Sequence, residues 1–102
     1  MSFWVYLLRC ADQSYYVGHT DDLEKRIGEH QRGEIAGYTS TRRPVHLMHA
    51  ESFTTREEAL GAERQIKGWS RQKKEAWAQG DWAEVTRLAQ RRTSARPPRP
   101  SE

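Results

Sequence analysis

The fold is decided by two short runs, FWVYLLRC at residues 3–10 and SYYVGH at residues 14–19. The first run is uninterrupted and favours β-structure, which predicts a strand that is covered on both faces and therefore central in its sheet. The second run begins after only three residues, Ala-Asp-Gln at 11–13, a segment typical of a turn. Together the two runs predict an antiparallel β-hairpin.

The length of the hairpin loop decides whether the two tyrosines can share a site. A loop of two or four residues places Tyr6 and Tyr16 on opposite faces of the sheet, because side chains alternate with a period of two. A three-residue loop pairs Leu8 with Tyr16 and puts both tyrosines on one face. We predict the three-residue loop, with Gln13 in a left-handed conformation that a glycine would adopt more easily.

The remaining elements follow from capping residues and apolar spacing. Asp21 and Glu24 predict the start of a helix that runs to about Arg32, residues 37–44 are predicted to form a loop, and residues 45–53 a third strand. Three further helices are predicted, starting at the capping box of Thr55, at Ser70 and at Asp81, the last with Trp82, Val85, Leu88 and Ala89 facing inward. The predicted fold class is α+β, a small three-stranded sheet flanked by helices.

Length and charge limit the organisation. The chain has 102 residues, and a protein of this size is one domain that buries only about 60 to 65% of its unfolded surface. Its net charge is +3 and its pI about 9.3, but residues 1–90 contain 13 Lys and Arg and 13 Asp and Glu. All the excess lies in residues 91–102, so we predict a folded domain over 1–90 and a disordered basic tail.

Local charge is more informative than the total. Residues 64–74 contain five cations and no acid, Arg64, Lys67, Arg71, Lys73 and Lys74. Such a run indicates a surface that binds phosphate groups, or else a solvated helical face, which is the commoner meaning of a charge run.

Cysteine usage and hydropathy indicate the compartment. The single cysteine, Cys10, cannot form an internal disulfide, which is typical of a reducing compartment. The apolar start, residues 3–8, is too short for a signal peptide or a membrane span. We therefore expect a cytoplasmic protein, a monomer without membrane contacts.

Four short motifs follow one another along the chain in a specific order. They are Val5-Tyr-Leu7, Tyr16-Val-Gly18, Arg26-x3-His30 and Glu63-x3-Lys67-x-Trp69. In order and spacing the chain resembles the GIY-YIG nuclease superfamily over roughly residues 3 to 75, and in particular its small stand-alone bacterial members.

The resemblance implies a metal-dependent endonuclease that hydrolyses DNA phosphodiester bonds and recognises structure rather than sequence. Tyr6, Tyr16, Arg26, His30 and Glu63 match the positions of the family's catalytic residues. Glu63 would be the single metal-binding carboxylate, for one Mg²⁺ or Mn²⁺ that is weakly held without substrate. Tyr6, Tyr16 and His30 all remain candidates for the general base that activates water, since an ordinary phenol ionises only near pH ~10.

Residues expected to contact the nucleic acid, DNA or RNA, lie beside these motifs and in the basic run. They are Gly18, His19, Arg42, Arg43, Lys67, Arg71, Lys73 and Lys74. Gly18 in particular would let a phosphate or a side chain approach the backbone closely.

Two other functions stay open. Many family members have an asparagine after the metal-binding glutamate, and residues 67–75 contain none. The chain could then be a nucleic-acid-binding module with weak or no catalysis, in which Glu63 and Lys67 form an ordinary surface pair. A protein-interaction domain is the third possibility, suggested only by Trp77 and Trp82.

Overall fold

A computed structural model describes residues 2–94, with the backbone alone for 89–94. The element order is β1 (Phe3–Arg9), β2 (Tyr15–Thr20), α1 (Leu23–Arg32), β3 (His46–Phe53), α2 (Arg56–Lys67), α3 (Arg71–Ala78) and α4 (Trp82–Ser94). The predicted α+β class is therefore confirmed. These elements fall into two compact units, one that ends at Trp69 and one that begins at Ser70.

The sheet is antiparallel, with the strand order β2-β1-β3. β1 is central, as its apolar run predicts. Leu8 lies opposite Tyr16 and Tyr6 opposite Gly18, and the Cys10 N–H donates to the Ser14 carbonyl at 2.8 Å. Gln13 has a φ of 71°. The three-residue loop and its left-handed residue are thus confirmed, and both tyrosines lie on one face.

That face of the sheet packs on α1. Tyr6, Leu8 and Cys10 of the hairpin form a buried cluster with Ile27 of α1 and with Val45, which precedes β3. Leu23 of α1 and Tyr16 pack against the same cluster while remaining partly exposed. α2 packs on β1 and β2. The core is thin, as the length requires, and α1 lies directly over the tyrosines.

The start of α1 corrects one prediction. Asp22, and not Asp21, caps the helix, because its carboxylate accepts the N–H of Lys25 at 3.2 Å. The Thr20 hydroxyl accepts the Asp22 N–H at 3.0 Å, which holds the chain at this turn. Gly33 ends the helix with a left-handed φ of 76°, as predicted. The predicted caps of α2 and α3, Thr55 and Ser70, are confirmed.

The second unit consists of α3 and α4. Trp77 of α3 is buried, as expected of a core tryptophan, but Trp82 is 54% exposed, so the inward position predicted for it is wrong. Trp82 is the first residue of α4, and helical side chains lean toward the N-terminus, which directs this ring past the helix start. The inward positions of Val85 and Leu88 are confirmed.

The C-terminal end of α4 can be compared with the predicted start of the disordered tail. α4 continues to Ser94, four residues beyond the boundary predicted at 90. Residues 95–102 and the side chain of Ala89 lie outside the described residues, so the disorder of the tail stays a prediction. Between residues 2 and 94, no helix has the length and apolarity needed to cross a bilayer.

Candidate active site

A buried chain of hydrogen bonds joins β1, α1 and the loop before β3. The Tyr6 hydroxyl and His30 Nε2 are 2.9 Å apart, and His30 Nδ1 lies 2.8 Å from the Thr39 hydroxyl. Tyr6 and His30 are each 1% exposed and Thr39 2%. Both ring nitrogens of His30 therefore have partners, as buried polar groups require, and the imidazole is fixed in place.

Burial shifts the pKa values of Tyr6 and His30, the first two residues of this hydrogen-bonded chain. Burial and the neighbouring Tyr16 raise the pKa of the Tyr6 hydroxyl well above its ordinary value, while the nearby Arg26 guanidinium acts in the opposite direction. Burial and Arg26 also lower the pKa of His30. At neutral pH Tyr6 is a protonated phenol and His30 a neutral imidazole.

The backbone of Gly18 lies directly against the side chain of Tyr6. A Cβ atom at Gly18 would be 2.5 Å from the Tyr6 hydroxyl oxygen and 3.1 Å from Cε2 of Tyr16, distances that leave no room for a side chain. The close approach expected at this glycine is therefore made by the protein's own tyrosines.

Tyr16 lies at the centre of a group of neighbouring aromatic rings. Its ring centroid is 6.4 Å from that of Tyr6, 5.3 Å from that of His30 and 6.1 Å from that of Tyr38. Tyr16 is only partly buried. Of the three candidates for the general base, Tyr16 is thus the one that solvent or a substrate can reach.

Arg26 lies beside the buried chain and reaches the surface. Its Nε is 3.2 Å from a carboxylate oxygen of Glu29, one turn along α1, and its side chain is 40% exposed. The guanidinium charge acts on both Tyr6 and His30. α1 therefore brings Arg26 and His30 to the tyrosines, as their positions on or beside its buried stripe predict.

Glu63 enters the site from α2 and forms a second cluster. Its two carboxylate oxygens lie 3.1 Å from His19 Nδ1 and 3.5 Å from Lys67 Nζ. Its side chain is only 12% exposed, and its charge acts on Tyr6 as the weakest of the influences on that hydroxyl. The direct partners of Glu63 are therefore His19 and Lys67, and its charge also reaches the Tyr6 hydroxyl.

The arrangement around Glu63 fits a lone metal-binding carboxylate. Within residues 2–94, no three His, Cys, Asp or Glu side chains converge to hold an ion by themselves, so most ligands would be water and substrate oxygens. The Lys67 side chain is 53% exposed, which leaves room for its ammonium group to move away from Glu63. A divalent ion in place of its ammonium group would keep the Glu63 carboxylate neutralised.

The other residues predicted to bind nucleic acid lie in different surroundings. His19 is partly exposed and bonds Glu63, and Arg43 is exposed. In the second unit, Arg71 pairs with Glu75 at 3.4 Å, Lys73 is half-buried, and burial lowers the pKa of Lys74. One cation of the run is therefore paired with an acid of its own helix, and two others are partly buried.

The sequence interpretation missed three residues around this site. Thr39 fixes His30, Tyr38 stacks on Tyr16, and Asp12 accepts from Nε of Arg42 at 3.1 Å. Thr39 and Tyr38 belong to the irregular segment 37–44, which has no periodicity from which their orientation could be read. The neighbouring pair Arg42-Arg43 was the only signal in that segment.

Comparison with known proteins identifies the class that this fold and site define. The chain matches the family described as GIY-YIG catalytic domain over residues 2–76. It therefore belongs to the GIY-YIG family, a nuclease superfamily, and the resemblance of the four motifs is confirmed.

The similar proteins are UPF0213 proteins. One from Haloquadratum walsbyi is 47% identical over 76 residues, covering 74% of this chain and 85% of its own. One from Bacillus velezensis is 50% identical over 76 residues, covering 74% and 77%. The solution NMR structure of a UPF0213 protein from Bacillus halodurans is 38% identical with a TM-score of 0.51, covering 86% of this chain and 97% of that one.

Proposed function

We propose that this protein is a metal-dependent endonuclease that hydrolyses DNA phosphodiester bonds and selects its substrates by structure. The observation that supports this function best is the convergence of Tyr6, Tyr16, Arg26 and His30 on one face of the hairpin, with the Glu63 carboxylate close by. A guanidinium, a carboxylate and hydroxyl groups are the set that phosphoryl chemistry uses.

Arg26 would bind the scissile phosphate. Its guanidinium offers a planar fork of N–H donors that stays charged and can follow the charge that shifts between phosphate oxygens during in-line displacement. The Arg26 side chain is 40% exposed, more than its partner Glu29 at 23%, so a phosphate can compete for the exposed side of the fork.

Tyr16, acting as a phenolate, would accept the proton of the attacking water and become a neutral phenol. Tyr6 is unsuited, because burial keeps its hydroxyl protonated and hidden from solvent. His30 is equally buried, and its two ring nitrogens are hydrogen-bonded to Tyr6 and to Thr39. Tyr6 and His30 therefore act as positioning residues that hold Tyr16 by ring contacts, and Tyr16 alone of the three can touch the water.

Glu63 would hold one Mg²⁺ or Mn²⁺ together with substrate oxygens and water. Such an ion stabilises the negative charge that develops on the phosphate and on the leaving oxygen. His19, which bonds one carboxylate oxygen of Glu63 at 3.1 Å, would keep that carboxylate oriented when Lys67 withdraws.

The groups around Tyr16 also support selection by structure. A guanidinium recognises any phosphate, and aromatic rings stack on any unpaired base, so neither reads sequence. Branched DNA, flaps and single strands expose such bases, whereas a regular duplex hides them.

Cleavage of a panel of labelled branched, single-stranded and duplex DNAs, with Mg²⁺ or Mn²⁺ and with EDTA, tests the proposal. We expect cleavage of at least one DNA that exposes unpaired bases, and none in EDTA. Tyr16→Phe should slow it by about 10² to 10⁴-fold, the range for a lost general base, and Tyr6→Phe by much less. No metal-dependent cleavage of any DNA would overturn the proposal, and equal losses in the two variants would overturn the role of Tyr16.

A nucleic-acid-binding module without catalysis is the alternative, and one observation favours it. Lys67 and His19 already engage both carboxylate oxygens of Glu63, as in a structural ion pair. Under this alternative the wild-type protein would bind DNA with a strong dependence on salt, Glu63→Gln would leave the affinity unchanged, and no divalent metal would produce cleavage.

A further inference from the structure

The rings of the active site continue to the protein surface as a column of neighbouring side chains, which we define as His30, Tyr16, Tyr38 and Arg42. The ring of His30 is inclined to that of Tyr16 by 58°. The ring planes of Tyr16 and Tyr38 are inclined by only 23°, and Cζ of Arg42 lies 3.9 Å from the Tyr38 centroid. His30 is buried at one end, while Tyr38 is 41% exposed and the Arg42 side chain 35% exposed at the other. The column therefore leads from the reaction centre to solvent.

Arg42 is held rigidly at the outer end of this column. Its Nε donates to the Asp12 carboxylate at 3.1 Å and its Nη1 donates to the Tyr38 carbonyl at 2.8 Å. Asp12 is fixed in turn by the backbone N–H and the hydroxyl of Ser14. A long arginine side chain ordinarily loses much rotamer freedom on binding a ligand, and here the hairpin loop has already ordered it.

A planar cation held over an aromatic ring is a platform for a nucleobase. Unpaired bases stack on guanidinium planes and on aromatic rings, and the arginine charge also attracts the adjacent phosphate. A base that stacks there would extend the column by one layer. Tyr38 and Arg42 would then separate this base from Tyr16, so the strand that continues from the base along the column would bring a neighbouring phosphodiester toward Tyr16.

From this geometry we propose that Tyr38 and Arg42 form a binding site for one unpaired nucleotide of the DNA strand that is cut. The site deepens the proposed function and rests on it for the identity of the substrate. Asp12 is a positioning residue, because it orients the guanidinium without touching the nucleotide. The loop of residues 37–44 thus binds substrate through Tyr38 and Arg42, and it also covers His30 through Thr39.

The test compares two labelled duplexes that differ in a single group. One contains a single unpaired thymidine, and the other contains an abasic residue at that position, which keeps the phosphate and removes the base. Fluorescence anisotropy in EDTA measures the affinity of the full chain for each. We expect wild-type protein to bind the thymidine duplex about tenfold more tightly, the size of one base-stacking contact.

Matched variants connect that preference to the site. Arg42→Lys keeps the charge but loses the plane, and Tyr38→Leu keeps an apolar side chain but loses the ring, so each should reduce the preference to less than about threefold. Arg32→Lys, at an exposed arginine of α1 outside the proposed site, and Tyr38→Phe, which keeps the ring, should retain it. Asp12→Asn should reduce it partly, and circular dichroism checks that each variant is folded.

The outcomes separate this site from the proposed activity. Equal affinity of wild-type protein for the two duplexes, or a preference that survives in both Arg42→Lys and Tyr38→Leu, overturns the nucleotide site even where cleavage is observed. A preference that depends on Tyr38 and Arg42 supports the site, and because binding is measured without metal it does so even where cleavage is absent.

Discussion

At the scale of single residues, Gly18 determines whether the active site can form. Its backbone lies against Tyr6 with no space for a Cβ atom, and the hydrogen bond from Tyr6 to His30 places the Tyr6 hydroxyl there. Close packing against Tyr6 therefore requires a glycine at this position of the Tyr-x-Gly motif, whether or not a phosphate is bound.

Gly18→Ala should destabilise the protein by about 1 to 3 kcal/mol, the usual cost of inserting a methyl group into a packed site. Gly61 is the matched control, because it lies in helix α2 and a Cβ atom there meets nothing within 4 Å. Gly61→Ala should stabilise the protein by about 0.5 to 1 kcal/mol. Urea unfolding measures both changes, and a Gly18→Ala protein as stable as wild type would contradict the packing at Tyr6.

His30 should make stability depend on pH. Burial lowers its pKa in the folded state, so as the pH falls below about 6.5, the ordinary value, the unfolded chain binds a proton before the folded protein does. The unfolding free energy should therefore fall by up to about 1.4 kcal/mol per pH unit below that value, until the pH reaches the folded pKa.

Urea unfolding between pH 7.5 and about 5 measures this dependence. His30→Gln should remove this part of it, while His46→Gln, which replaces an exposed histidine of β3, should retain it. An identical pH dependence in wild type and His30→Gln would show that burial does not perturb His30.

At the scale of elements, much of the fold could be predicted because local signals agree with it. The uninterrupted run of β1, the odd hairpin loop and the capping box of Thr55 each depend on a few adjacent residues. The orientation of Tyr38 and Thr39 could not be predicted, because an irregular loop has no periodicity and its side chains are placed by tertiary contacts. The order of the motifs predicted the candidate site residues, but not which of them are buried.

At the N-terminus of α1, the sequence alone does not show which of two adjacent aspartates caps the helix. Asp21 and Asp22 are chemically identical neighbours, and a contact outside the helix, from the Asp22 N–H to the Thr20 hydroxyl, favours the second as the cap. Asp22→Ala should cost about 1 kcal/mol of stability, whereas Asp21→Ala should cost almost nothing. Thermal unfolding of the two variants tests the assignment, and a larger loss for Asp21→Ala would reverse it.

At the scale of the whole molecule, pairing of charges matters more than their number. Lys67 with Glu63, Arg71 with Glu75 and Arg42 with Asp12 all form ion pairs. Net charge and pI therefore say little about whether the protein binds DNA. The feature that decides the function is whether Glu63 is a metal ligand or only one partner in such a pair.

The most direct test is the rate at which wild type, Glu63→Gln and Glu57→Gln cleave the same DNA in Mg²⁺ or Mn²⁺. Glu57 is the control, since it is an exposed carboxylate on the same helix. We expect Glu57→Gln to match wild type and Glu63→Gln to lose at least about 10²-fold in rate while it still binds the DNA. Cleavage by Glu63→Gln at the rate of Glu57→Gln would contradict the proposed metal site.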